Sequence, residues 1–153
     1  MNALETKVPP VAQVIVIAAG MYGLAKTMPD LVFAFSGSTM LAIGLGIIGL
    51  GSGALGVAQF KQAQTTVNPH TPEKSTNLVT GGIYQYTRNP MYLGLVLILL
   101  GWGFYLSHFL SFMLTPVFMI YMRRFQIQPE ERMMSQKFGK HYEAYVSRVR
   151  RWI

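Results

Sequence analysis

Charged residues vanish from this chain for three long stretches and return in clusters between them. No Asp, Glu, Lys or Arg occurs at 8–25, 31–60 or 89–122, gaps of 18, 30 and 34 residues. A helix needs roughly 20 apolar residues to cross about 30 Å of hydrocarbon. The first gap therefore predicts one span, 8–25, with Pro9 and Pro10 at its entry. The second predicts one long or tilted span, 31–60. As a single helix the third would reach about 51 Å at 1.5 Å per residue, too long for one crossing. It predicts instead a hairpin turning near Ser107 and His108, with spans at 91–106 and 109–122.

The tail, 123–153, changes character. Pro129, Glu130 and Glu131 open a segment in which Met133, Met134, Phe138, Tyr142, Tyr145, Val146 and Val149 recur at helical spacing. Pro and two acids suit a helix's first turn, where the backbone dipole favours negative charge. The fold class expected is an all-α integral membrane protein with about four transmembrane helices and a C-terminal amphipathic cytoplasmic helix. A soluble bundle would have no polar face along such uncharged runs. Cleavage of 1–25 as a secretory signal is not expected, because no small-x-small site follows the apolar run.

Composition sharpens this picture. Of 153 residues, 51% are hydrophobic and 12% charged, where a soluble domain carries about 25% charged. That size fits one domain, 1–153, with a polar loop at 61–90. The net charge of +7 comes from 13 Lys+Arg against 6 Asp+Glu. With four spans, 12 of the 13 basic residues fall on one side and only Lys26 falls opposite. The positive-inside rule makes that side cytoplasmic, with both termini on it. Such a distribution implies a lipid bilayer as partner and removes the need for nucleic acid. Cysteine is absent, which excludes disulfides, a thiolate nucleophile and cysteine zinc sites.

Candidate chemistry is confined to the boundary. The spans hold no acid or base of the kind that proton-coupled transporters keep there. His70, His108 and His141 have no metal-type spacing, and no metal is expected. Gly44, Gly46 and Gly49 match the GxGxxG fingerprint, but inside an uncharged run with no acid before Glu73. Gly49, Ser52, Gly53 and Gly56 instead form small-xxx-small pairs suited to close helix packing. The loop carries strong turn signals in Asn68, Pro69, Pro72, Gly81 and Gly82.

Two blocks lie at that boundary. One runs from Thr76 through Leu78-Val79-Thr80, Tyr84 and Arg88-Asn89-Pro90-Met91-Tyr92 to Gly94. The other begins with Glu130-Glu131 and continues through Phe138-Gly139, Tyr142, Tyr145 and Arg148-Val149. Together they resemble the isoprenylcysteine carboxyl methyltransferase family of integral-membrane enzymes, related to the phospholipid N-methyltransferases. The resemblance covers about 68–153.

It implies transfer of a methyl group from S-adenosylmethionine to a lipophilic acceptor, with S-adenosylhomocysteine as product. The implied cofactor contacts are Thr76, Asn77, Leu78, Val79, Tyr84, Asn89, Pro90, Met91, Tyr92 and Glu130. An arginine that holds the substrate carboxylate in the prenylcysteine enzymes falls at Gln126, just after Arg123 and Arg124. These three are the expected acceptor contacts. The family's usual His is replaced at Thr76 and at Asn89.

The contact set is chemically sensible. Tyr84 and Tyr92 offer aromatic faces to a cation, worth roughly 0.5–2 kcal/mol. Glu130 suits an ammonium or ribose hydroxyls. Each residue also has a plainer role: interfacial tyrosines, a turn at Asn89-Pro90, helix-start acids, a snorkelling Arg88. A carboxylate acceptor needs no base, whereas an amine must first lose a proton. Arg88 and Glu131 are the candidates for a catalytic role, with His141 a further possible base. The acceptor expected is an isoprenylcysteine-type carboxylate or similar nucleophile. The alternatives are a phospholipid amine and a non-catalytic scaffold or transporter subunit.

Overall fold

Proline and glycine set the helix ends. The computed structural model describes residues 5–33, 35–64 and 77–153. Helix α1 (Pro10–Thr27) starts on a proline in its first turn, where the missing N–H leaves no bond unmade. Helix α2 (Ser38–Gln62) starts after Gly37, whose φ of +103° belongs to glycine. Helix α3 (Pro90–Leu106) again opens on proline. Ser107 turns through φ +48°, and helix α4 (Phe109–Met122) follows with His108 as its N-cap, accepting from the Ser111 N–H. Helices α5 (Gln128–Phe138) and α6 (Lys140–Val146) form the tail.

The described residues are helical and contain no strand, only an isolated bridge between Val32 and His108. Two helices, Pro10–Thr27 and Ser38–Gln62, are long and apolar enough to cross a membrane. Only 11% and 17% of their apolar windows are buried, unlike the core helices of a soluble protein. Met40, Ile47 and Leu50 face outward. An apolar surface this continuous needs lipid or protein against it. α3 is a shorter apolar helix of 17 residues, and α4 has 14.

Two expectations need correction. The span placed at 31–60 begins only at Ser38, because Pro29–Leu31 form a 3-10 turn and Phe33 donates to the Ser107 carbonyl at 2.8 Å. A gap in charge marks where a helix is tolerated, and cannot reveal the break that Gly37 imposes. The single tail helix is in fact two. Gly139, at φ +48° and ψ −124°, stops α5 and starts α6 in a conformation that a side chain would disfavour.

Packing explains two of the glycines of α2, Gly49 and Gly56. A Cβ on Gly49 would lie 2.7 Å from the Gly94 carbonyl, and one on Gly101 would lie 2.8 Å from that of Ala42. Ser52 Oγ donates to the Pro90 carbonyl at 2.7 Å. α2 and α3 thus touch backbone to backbone, the contact that small residues permit. Gly44 has open space around it, as expected of a surface glycine and not of a phosphate loop. Met21, Val96, Leu99, Phe118 and Met122 fill the core between α1, α3 and α4.

Candidate functional site

The up-and-down order brings the start of α3 and the end of α4 to the same end of the bundle. There Tyr92, one turn into α3, donates its hydroxyl to Glu130 Oε1 at 2.7 Å. Gln126, 1% exposed, donates its amide to the same oxygen and lies 3.4 Å from the Tyr92 hydroxyl. The backbone between α4 and α5 makes this possible. Arg123–Ile127 form a π-helical turn, in which Gln128 N–H reaches back to Arg123. Pro129 has no N–H to give Phe125, so that carbonyl is released from the ladder. The Thr6 N–H takes it at 3.0 Å. Beside it Glu5, buried, pairs with Arg132 at 2.8 Å and Arg124 at 3.6 Å. The chain before α1 is thereby strapped over the turn that aims Gln126 inward.

Two neighbouring acids have opposite surroundings. Glu131 is a shared carboxylate: Arg88 lies 3.2 Å from it, and Arg151 makes a two-pronged contact at 2.6 and 3.0 Å. These bonds also raise the Arg151 pKa. Glu130 has only neutral hydrogen-bond partners, Tyr92 and Gln126. Burial pushes its carboxyl up to about 7; the two hydrogen bonds oppose the shift and Glu131 adds to it. Above it, Tyr84 is 4% exposed and its hydroxyl has no partner. Burial raises the Tyr84 pKa as well. A buried carboxylate without a cation and a buried hydroxyl without an acceptor fit a ligand bearing an ammonium and hydroxyl groups. The adenosyl and methionyl parts of S-adenosylmethionine meet that description.

The tail closes over the loop by backbone contacts. Tyr145 donates its hydroxyl to the Tyr84 carbonyl at 2.8 Å. Asn89 Nδ2 donates to the Arg151 carbonyl at 2.9 Å and Thr87 Oγ1 at 3.3 Å, while the Arg88 N–H reaches Arg150 at 3.0 Å. Tyr142, Tyr145 and Val149 pack with Leu78 into a small apolar cluster.

The sequence-predicted residues separate accordingly. Tyr84, Tyr92 and Glu130 share one end, with Gln126 among them. Leu78 joins the tail cluster, and Val79 is half-buried nearby in sequence. Asn77 donates to the Ala63 carbonyl at 2.8 Å, tying the loop to the end of α2. Thr76 and His70 lie outside the described residues. Pro90 and Met91 turn toward Gly56 of α2, and Asn89 is spent on the tail. Arg123 and Arg124 are exposed on the π-turn. Arg88 and Glu131 hold each other. His108, far away at the hairpin, is fully buried, its Nε2 2.9 Å from the Met28 carbonyl. Sequence reasoning missed Glu5, Thr6, Thr87, Tyr145 and Arg151. Tyr145 stood in the second block without a role; the others carry no local signal, because the contacts that matter here, such as Thr6 to Phe125 and Thr87 to Arg151, join distant parts of the chain.

A family model described as phospholipid methyltransferase matches residues 37–141, from the start of α2 into α6. A Haemophilus influenzae protein described as uncharacterized is 41% identical over 63 residues, which are 41% of this chain and all of that protein. No solved structure matches.

Proposed function

The chain belongs to the phospholipid methyltransferase family of membrane methyltransferases, and on that premise we propose that it moves a methyl group from S-adenosylmethionine to a lipophilic acceptor reached from the bilayer. The observation that carries this reading is the hydrogen-bonded trio Tyr92–Glu130–Gln126, where two separate motifs meet around a carboxylate with no cation of its own. Use of S-adenosylmethionine is general for such a family. In this reading Thr76–79, Tyr84, Asn89, Pro90, Met91, Tyr92 and Glu130 surround the cofactor. Asn89, Pro90 and Met91 shape the wall through the tail and α2. The whole chain, 1–153, acts as one domain crossing the bilayer four times. Both termini and the site then face the cytoplasm, in keeping with the basic residues at that end.

Within this arrangement each residue has a limited task. The cofactor, when bound, supplies an electrophilic methyl on a sulfonium. Glu130, ionised, would hold an ammonium or ribose hydroxyls, and Tyr92 and Gln126 would keep its carboxylate oriented. Tyr84 would place its ring face and hydroxyl beside the donor. Methyl transfer is an in-line displacement, so positioning and exclusion of water matter more than proton movement. A carboxylate acceptor of the isoprenylcysteine type fits that requirement without a base. One observation favours the phospholipid amine as a second reading: a carboxyl raised to about 7 can take up a proton near neutral pH.

Calorimetry on the detergent-purified chain tests the proposal. S-adenosylhomocysteine is expected to bind at micromolar concentration, and Glu130→Ala to weaken it at least tenfold, about 1.4 kcal/mol. Absence of binding returns the chain to a scaffold or transporter-subunit role. A methyl-transfer screen then separates the acceptors. Phosphatidylethanolamine methylated with prenylcysteine analogues untouched selects the amine.

A further inference from the structure

Beside Glu131 lies an open cavity of about 520 Å³, walled by Arg88, Arg132, Arg151, Glu131, Ser135 and Tyr142 among others. None of the described residues assigned to the cofactor lines it. Its charge is unbalanced in a particular way. Glu131 is shared by Arg88 and Arg151, and Glu5 is shared by Arg124 and Arg132. Each group has two guanidiniums for one carboxylate, so each keeps one unmatched positive charge. The cavity touches both groups. Arg88 and Arg151 are only 12% and 26% exposed at their side chains, so solvent screens them weakly. The Arg88 Nε–H is buried with no acceptor.

We propose that this cavity binds a phosphate group, carried by an anionic lipid at the membrane surface or present as inorganic phosphate. Guanidinium forks match phosphate oxygens in geometry as well as charge. The Ser135 and Tyr142 hydroxyls add neutral donors on the remaining walls. A bound monoanion or dianion would cancel the excess that the two shared carboxylates leave. The volume lies within the roughly 300–1,000 Å³ range of small-ligand sites, enough for a glycerophosphate headgroup. The site shares Arg88 and Glu131 with the earlier catalytic candidates but none of the described residues placed around the donor.

Dihexanoyl phosphatidic acid and inorganic phosphate, titrated separately into the detergent-purified full chain, test the proposal. Saturable one-to-one binding is expected, weakened at least tenfold by Arg132→Gln and weakened by added salt. Ser135→Ala, which leaves both ion groups intact, is expected to lower affinity a few-fold and guards against a folding defect in the first variant. Binding of the lipid with inorganic phosphate silent identifies a headgroup site. Equal binding of both identifies a free-phosphate site. No saturable binding of either, or binding that both substitutions leave unchanged, overturns the proposal. So does displacement by S-adenosylhomocysteine, which would make the cavity part of the cofactor's own site.

Discussion

At the hairpin end, His108 is fully buried, yet both ring nitrogens are engaged and Ser111 donates to the Met21 carbonyl at 2.6 Å. At the loop end, Tyr84 OH, Arg88 Nε and Gln13 Oε1 are buried without partners, and Glu130 has only neutral ones. An unmet buried polar group costs about 1–3 kcal/mol. The remaining such group among the described residues, Thr115 Oγ1, lies midway along α4, so the core between the two ends is not fully satisfied either. Of the two ends, the loop end is the one that keeps unmet groups, as a ligand site does before its ligand arrives.

The contrast can be broken most sharply by a pair of substitutions. His108→Ala strips partners from Ser111 and Met28 and is expected to cost about 1–3 kcal/mol, seen as a lower unfolding midpoint. It should leave S-adenosylhomocysteine affinity within twofold of the parent. If it weakens binding as much as Glu130→Ala does, the two ends are not separable. The pH dependence comes next. The Glu130 carboxyl sits at about 7 in the fold against 4.5 alone, so the fold prefers its protonated form. Stability is therefore expected to fall as pH rises from about 4.5 to 7 and to level off above. Ligand affinity should run the other way, weakening about tenfold per unit below pH 7, since an ammonium needs the ionised acid. Glu130→Gln should flatten both profiles; a slope that survives it would assign the titration elsewhere.

Smaller effects sharpen the picture. Tyr145→Phe removes the bond to the Tyr84 carbonyl and should cost about 1 kcal/mol by denaturant unfolding, with weaker ligand binding as the loop loosens. Glu5→Gln releases two arginines that are about half exposed, so the loss should stay below about 1 kcal/mol. A much larger loss would make the strap over the π-turn the main support of Gln126.

How much of this was legible beforehand differs by element. The turn at Ser107 and His108 and the bounds of α4 followed from the uncharged gap, because those two residues are the polar break near the middle of a 34-residue uncharged run. The start of α2 did not, since Gly37 breaks a run that charge alone reads as continuous. Gly139 divides the tail while the apolar spacing from Met133 to Val149 runs straight through it. In the site, Tyr84, Tyr92 and Glu130 were reachable through two motifs seen together. The roles of Gln126, Thr6 and Arg151 were not, because they depend on partners on other elements: Tyr92 on α3, the Phe125 carbonyl on the π-turn and Glu131 on α5.

Composition and charge spacing alone determined a helical chain with long apolar helices and its polar chemistry gathered at helix ends, because an uncharged run constrains local structure residue by residue. Which acid stays unpaired was decided only by three-dimensional packing. Glu130 and Glu131 are adjacent and identical in type, and their difference comes from the roughly 100° that separates neighbouring residues around a helix. That rotation hands Glu131 to two arginines and Glu130 to a tyrosine and an amide.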